Sequence, residues 1–156
     1  MAVTLPLGGQ PAFDELERAV KGFGFKGVIM SAQVGGLPLD SRDLWPFYKK
    51  VAELKVPIFV HPSIKVLGFE ALKAPYDLFR TIGREFDLAT ATVRLCAGGV
   101  LERFPRVKVV SAENDIAWVP HLFERADKYY RRLKQGYNVA LSLKPSEYFQ
   151  RQMFAT

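Results

Sequence analysis

Three short segments with apolar centres constrain the fold of this chain more than any other feature. They are "KGVIMSA" at residues 26–32, "VPIFV" at residues 56–60 and "RVKVVSA" at residues 106–112. Short runs rich in valine and isoleucine are typical of β-strands that are buried on both faces. Because helical patterns separate these segments, the sequence predicts an α/β fold in which helices cover a parallel sheet.

Four helical segments alternate with the strands, and Gly98-Gly99 interrupts the third of them. The predicted inward faces are Phe13, Leu16, Ala19, Val20 and Phe23 in the first; Leu44, Phe47, Tyr48, Val51 and Leu54 in the second; Leu78, Ile82, Phe86, Ala89, Val93 and Cys96 in the third; and Val119, Leu122, Phe123, Ala126, Tyr130 and Leu133 in the fourth. Ser146 can cap a last short helix. With no long repeat or linker, residues 1–156 are expected to form a single domain.

The formal net charge of +6 raises the question of a nucleic-acid partner. The lysines and arginines are scattered, and their one dense cluster is Lys128, Arg131, Arg132 and Lys134 on a single helix. No aromatic–basic recognition motif accompanies this cluster. We therefore predict a solvated helix face and no nucleic-acid partner.

The sequence also argues against a membrane protein. No apolar run approaches the roughly 18 residues that a membrane span needs, and residues 1–10 lack a cationic start followed by an apolar block. The single cysteine, Cys96, rules out an internal disulfide. We expect no membrane partner and a cytoplasmic location.

Two titratable side chains follow predicted strands: His61 after the second and Glu113 after the third. Because the carboxyl ends of parallel strands meet at one edge, where ligands collect, both residues are candidates for one site. His61 can ligate a divalent metal or move a proton; alternatively, it bonds to backbone at a strand end. Glu113 can ligate a metal, transfer a proton or orient a histidine; alternatively, it accepts backbone N–H groups at the next helix start.

The other polar and reactive residues are interpreted as structural. His121 lies beside the apolar face of a helix, and Cys96 lies among apolar neighbours. Asn114 and Asp115 are well placed to cap the following helix. A capping role also accounts for Asp40, although this residue could reach the mouth of a site.

Longer stretches around these residues resemble the amidohydrolase-related metal enzymes, which include aminocarboxymuconate-semialdehyde decarboxylase and related aromatic-acid decarboxylases and hydratases. The stretches are "KGVIMSAQVGGLPLDSRDLWPFYKKVAELKVPIFVHPS", "GGVLERFPRVKVVSAENDIAWVPHLFERADKYY" and "LKPSEYFQRQMFAT". The strand-end His-Pro, the Gly-Gly-x-Leu-Glu-Arg-Phe-Pro run and the Trp-x-Pro helix start occur in that order. The resemblance covers nearly the whole chain.

The resemblance implies a (β/α)8 TIM barrel that holds a divalent metal, Zn or Mn, at its carboxyl face. Family members take metal ligands from a His-x-His pair on the first strand, a histidine on the fifth and an aspartate on the eighth. His61 falls on the fifth-strand position, and Glu113 stands where decarboxylases often have an acid/base histidine on the sixth. The implied enzyme is a hydrolase or carboxy-lyase for a small carboxylated substrate, aromatic in many relatives.

Two departures from the family pattern shape the remaining expectations. The chain contains no His-x-His pair, and its 156 residues are fewer than the about 250 of a complete barrel. We expect a partial barrel, an internal fragment covering about strands 4–6 with their helices, which by itself binds metal weakly or not at all and is inactive. Uncovered edges and helix faces predict association, with a homo-oligomer as one form. The alternative hypothesis is a non-catalytic truncated barrel or interaction module.

Overall fold

The computed structural model describes residues 2–3, 9–66, 68–113, 115–133 and 140–156. The strands are β1 (Ala2–Val3), β2 (Val28–Ser31), β3 (Gln33–Val34), β4 (Leu37–Pro38), β5 (Ile58–His61), β6 (Val109–Ser111) and β7 (Met153–Ala155). The α-helices are α1 (Gln10–Glu17), α2 (Trp45–Leu54), α3 (Arg84–Ala97), α4 (Val100–Arg103), α5 (Trp118–Leu133) and α6 (Pro145–Gln152). π-helical turns occupy Arg18–Gly22 and Phe79–Gly83, and 3-10 turns occupy Arg42–Leu44 and Phe69–Leu72.

Five strands form one parallel sheet in the order β1-β2-β5-β6-β7. Strands β3 and β4 form a separate antiparallel hairpin. The order of the main sheet follows the chain without reversing, as in the wall of a (β/α) barrel and unlike a doubly wound sheet. The predicted parallel α/β arrangement is therefore confirmed.

The sheet includes two strands that the apolar segments did not predict. Strand β1 has two residues and β7 has three, so neither forms a recognisable apolar run. Strand β7 also follows α6 directly, with no turn residue between them. Within the described residues, β1 and β7 each pair along one edge only, so the opposite edge of each is left uncovered, as we expected.

The core lies between the sheet and the helices. Val28, Met30, Ile58, Val60 and Val109 are buried strand residues. The inward face predicted for α2 and most of that predicted for α5 are confirmed, since the following members are buried: Phe47, Tyr48, Val51, Val119, Phe123 and Tyr130. Leu122 of α5 is half-buried and does not belong to the core. The side chain of Leu133 lies outside the described residues. None of the described helices has the length and apolar character needed to cross a membrane.

The inward faces predicted for the first and third helical segments are wrong in part. Phe23 lies beyond the turn that ends α1 and is exposed. Ile82 and Phe86 are 51% and 60% exposed; α3 turns the predicted Cys96 inward, together with Leu88, Ala91, Thr92 and Leu95, which were not predicted. Asp87 is also buried, because its carboxylate accepts a hydrogen bond from the backbone N–H of Ser63 at 2.8 Å. The helix thus carries a second apolar stripe, which lines an outer groove of about 470 Å³ against α5.

Candidate active site

His61 is the last residue of β5 and lies at the carboxyl edge of the sheet. Its Nδ1 lies 2.9 Å from the carbonyl oxygen of Pro62. A carbonyl only accepts hydrogen bonds, so Nδ1–H is the donor and, in the neutral ring, Nε2 carries the lone pair. The side chain is half-exposed, which leaves Nε2 accessible to a proton, a metal or a substrate.

Glu113 follows the last residue of β6 by two positions, and its side chain returns to His61. Its Oε2 lies 3.3 Å from His61 Nε2. Strands β5 and β6 are neighbours, with Val60 opposite Ser111, so the residues beyond them emerge at the same edge. The structure brings the two candidates together, as the shared-edge argument predicts; their chemical roles stay predictions.

The backbone at Glu113 has an unusual conformation. Its φ is 67°, and that of Asp115 is 54°; besides Lys55, these are the non-glycine residues with positive φ in the described part of the chain. The left-handed region costs an L-residue roughly 1–2 kcal/mol. Such conformations cluster at functional sites, where the surrounding structure holds a side chain in one direction. Here the held side chain is the carboxylate that contacts His61.

Sequence reasoning missed a third member of this cluster, Arg84. Its Nη1 donates a hydrogen bond to Glu113 Oε2 at 3.1 Å, the same oxygen that contacts His61. Arg84 is the first residue of α3 and comes from no strand end, so the pattern that identified His61 and Glu113 could not identify it. The cluster therefore contains one imidazole, one carboxylate and one guanidinium.

The contact between His61 and Glu113 favours a cation. In the neutral tautomer, the Nε2 lone pair faces a carboxylate oxygen, and two acceptors repel each other unless a proton or a metal ion lies between them. Both atoms are ligand types that divalent metals accept. However, the described residues contain no group of three or more His, Cys, Asp or Glu side chains that could hold a metal. The fit is thus partial, since catalytic zinc usually has about three protein ligands.

A cleft of about 640 Å³ opens beside the cluster. Its polar lining consists of Ser31, His61, Ser63 and Arg84. Its apolar lining consists of Ile29, Pro62, Ile64, Phe69 and Phe79. An apolar wall facing a few convergent polar groups is the usual form of a small-molecule site.

The residues interpreted as structural lie elsewhere. His121 is exposed on α5 at the outer groove. Cys96 is fully buried, and this burial raises the pKa of its thiol. Asp40 accepts hydrogen bonds from Arg94 at 3.0 and 3.3 Å, while the neighbouring serine caps the helical turn. The carbonyl of Asp115 accepts a hydrogen bond from the indole N–H of Trp118 at the start of α5.

The predicted basic cluster is a solvent-facing part of α5 as far as the structure describes it. Lys128, Arg131 and Arg132 are exposed. Lys134 lies outside the described residues, and so does Asn114, the other predicted cap.

A model of the Amidohydrolase family matches residues 1–151 of this chain. Decarboxylase orsB of Emericella nidulans is 30% identical over 120 residues, which span 72% of this chain and 36% of that protein. The 5-carboxyvanillate decarboxylase LigW from Sphingomonas paucimobilis superposes with a TM-score of 0.79 at 24% identity, over 92% of this chain and 43% of that chain. A dihydroxybenzoic acid decarboxylase from Polaromonas sp. JS666, with bound manganese and 2-nitroresorcinol, gives 0.70 at 24% identity, over 92% and 46%.

These likenesses show the fold: the sheet and its helices correspond to part of an amidohydrolase-type (β/α)8 barrel. The chain spans about a third of the length of the curated relatives it matches and less than half of these two solved chains.

Proposed function

Because the chain belongs to the amidohydrolase family, we propose that it forms part of the active site of a metal-dependent carboxy-lyase for a small carboxylated aromatic substrate. The observation that carries this proposal is the contact between His61 Nε2 and Glu113 Oε2 at the carboxyl edge of a parallel sheet. The names of the relatives support the reaction class, since they are decarboxylases of 5-carboxyvanillate and dihydroxybenzoic acid.

His61 is the residue that we assign to the metal. The hydrogen bond from Nδ1 to Pro62 fixes the ring and leaves Nε2 for the ligand bond, the arrangement typical of metal-bound histidines. A divalent metal in such a site polarises a substrate oxygen or activates a water molecule. The manganese bound to the Polaromonas relative favours Mn²⁺, and an imidazole ligand is equally suited to Zn²⁺.

Glu113 is the residue that we assign to proton transfer. Decarboxylation breaks the bond between a substrate carbon and its carboxylate; the electron pair stays on that carbon, which then takes up a proton. Glu113 can transfer this proton, since its carboxyl oxygen lies 3.3 Å from Nε2 of His61, which lines the cleft. Arg84 orients the carboxyl group through its hydrogen bond to Oε2.

Two other functions are carried as alternatives. In a hydrolase, Glu113 would take a proton from an attacking water instead of giving one to carbon. In a non-catalytic chain, the same side chains would have no reaction to perform. The incomplete ligand set of the described residues favours this second alternative.

The coding sequence on both sides of this chain is the first test. A His-x-His pair upstream and a strand-end aspartate downstream, in the same reading frame, would support an enzyme. Start and stop signals directly at the ends would support a non-catalytic chain.

The encoded protein, loaded with Mn²⁺ or Zn²⁺, is then assayed for CO₂ release from carboxylated aromatic compounds. We expect Glu113→Gln to lower kcat by about 10²-fold or more at saturating metal, and His61→Ala to lower metal binding. His121→Ala is the matched control and should change neither property. Full activity in Glu113→Gln would contradict the assigned role.

We also propose a cytoplasmic location. The chain has a single cysteine, and burial of its thiol together with the raised pKa leaves it unsuited to disulfide exchange. Fractionation of cells that produce the protein tests this location.

A further inference from the structure

We infer that Arg84 and Ser63 form a subsite that binds a carboxylate group of the substrate beside His61 and Glu113. This inference rests on the proposed function, because it names the part of that site which would recognise the substrate's charge. Neither residue follows from the strand-end pattern. Each has a hydrogen-bonding group that the folded chain buries and leaves unused.

Arg84 has donors to spare. A guanidinium has five N–H groups in a planar fork, and in the described part of the chain Arg84 uses one of them, from Nη1 to Glu113. Its Nε is buried and has no hydrogen-bond partner there. A buried donor without a partner is destabilising, and a bound ligand is one way in which the guanidinium can gain the hydrogen bonds that it lacks. The fork matches a carboxylate, which can accept two parallel hydrogen bonds from it.

Ser63 supplies an independent observation of the same kind. The residue is 6% exposed, and its buried Oγ has no hydrogen-bond partner in the described part of the chain. Its backbone N–H donates a hydrogen bond to the buried carboxylate of Asp87, and this bond holds Ser63, two residues after His61, in place. Ser63 and Arg84 line the same cleft. Two residues with an unused donor, one of them cationic, therefore line one cavity.

The remaining lining of the cleft suits an aromatic carboxylate. Phe69 and Phe79 meet edge to face, with ring centroids 6.0 Å apart, and both line the cavity. The Arg84 guanidinium lies 5.7 Å from the centroid of Phe79, so the cation is held against this aromatic wall. A flat ring can lie along the phenylalanines while its carboxylate reaches Arg84 and Ser63.

Glu113 holds the guanidinium of Arg84 in position when no substrate is bound. Its carboxylate occupies one arm of the Arg84 fork, as a ligand carboxylate would. The carboxylate of a bound substrate can accept hydrogen bonds from the other N–H groups of Arg84, or it can displace Glu113 toward His61. Either arrangement puts the substrate's carboxylate next to the group assigned to proton transfer.

The test is ligand binding to the chain in metal-free buffer, followed by NMR. The probes are 2,6-dihydroxybenzoate and its neutral isostere 2,6-dihydroxybenzamide. We expect wild type to bind the carboxylate at least about tenfold more tightly than the amide, because a hydrogen bond to a charged group is worth about 1.5–3 kcal/mol. We expect Arg84→Gln to abolish this preference, Arg84→Lys to keep part of it, and Ser63→Ala to weaken carboxylate binding several-fold.

Arg80→Gln is the matched control, since Arg80 is an exposed arginine of the preceding turn that pairs with Asp77. It should bind both probes as wild type does. Amide spectra of each variant check that it is folded, and Arg84→Lys keeps the test informative if Arg84→Gln unfolds. Equal binding of the two probes by wild type, or an unchanged preference in folded Arg84→Gln, would overturn the inference.

The outcome is separable from that of the proposed function. An Arg84-dependent preference for the carboxylate, together with no CO₂ release by the whole encoded protein loaded with metal, would support the subsite and contradict the carboxy-lyase. Metal-dependent CO₂ release in a protein whose Arg84→Gln variant keeps the preference would support the enzyme and overturn the subsite.

Discussion

Replacing Asp87 with alanine should loosen the segment that carries His61. Asp87 is 2% exposed, and its carboxylate accepts the backbone N–H of Ser63 at 2.8 Å. Residues 61–63 connect the end of β5 to the cleft, so this hydrogen bond ties the strand-end segment to α3. The substitution removes the acceptor and leaves a buried N–H without a partner.

The magnitude follows from the burial of both groups. Losing a hydrogen bond to a charged acceptor costs about 1.5–3 kcal/mol, and the orphaned N–H accounts for much of that loss. For a domain of this size, each kcal/mol lowers Tm by about 2–4 °C. We therefore expect Asp87→Ala to lower Tm by about 3–12 °C. Asp87→Asn should cost less, because its amide oxygen can still accept the bond.

Thermal unfolding measures the stability change, and the imidazole NMR signals report the site. The chain has two histidines, so the signals of His61 and His121 are easily told apart. Asp87→Ala should shift the signals of His61 and leave those of His121 in place. Asp14→Ala, an exposed carboxylate on α1, is the control and should change Tm by about 1–2 °C at most. A Tm of Asp87→Ala equal to that of wild type would refute the reasoning.

Three further predictions concern stability and association. Tyr148→Phe should lower the free energy of unfolding by about 2–3 kcal/mol in urea titrations. The buried hydroxyl of Tyr148 donates a hydrogen bond to the Glu102 carboxylate at 2.5 Å and accepts hydrogen bonds from two backbone N–H groups, and phenylalanine makes none of these. An unchanged urea midpoint would contradict this prediction. Ion pairs with Lys21 and Lys50 lower the pKa of Glu17 from its usual 4.5 to about 2. Between these two pH values the unfolded chain binds more protons than the folded chain, so the free energy of unfolding falls as the pH drops from 4.5 toward 2. Glu17→Gln should flatten this dependence in unfolding curves measured across that window; equal slopes would refute the link. Light scattering should show association that grows with chain concentration, and a strict monomer at high concentration would contradict the uncovered edges.

The parallel sheet and the meeting of His61 with Glu113 could be predicted because both depend on local pattern. Buried strands can be recognised from their apolar composition, and neighbouring parallel strands end at the same edge of the sheet whatever the details of packing. The inward face of α3 could not be predicted this way. This helix has two apolar stripes, and the choice between them depends on Asp87, whose partner lies 24 residues away along the chain.

The rest of the candidate site was missed for the same reason. Arg84 comes from a helix start, and its contact with Glu113 joins residues 29 positions apart. Ser63 was visible beside His61, but only the packed structure shows that its hydroxyl is buried without a partner. Buried polar groups without a hydrogen-bond partner result from tertiary packing, so the spacing of residues in the sequence does not reveal them.

Addition of Mn²⁺ to the metal-free chain, followed through the imidazole proton signals of its two histidines, tests most directly whether His61 and Glu113 share a metal-binding edge. We predict weak binding in which the paramagnetic ion broadens the signals of His61 first, leaves those of His121 sharp, and has less effect in Glu113→Gln. Broadening that begins at His121, that affects both histidines equally, or that is unchanged in Glu113→Gln would contradict the account.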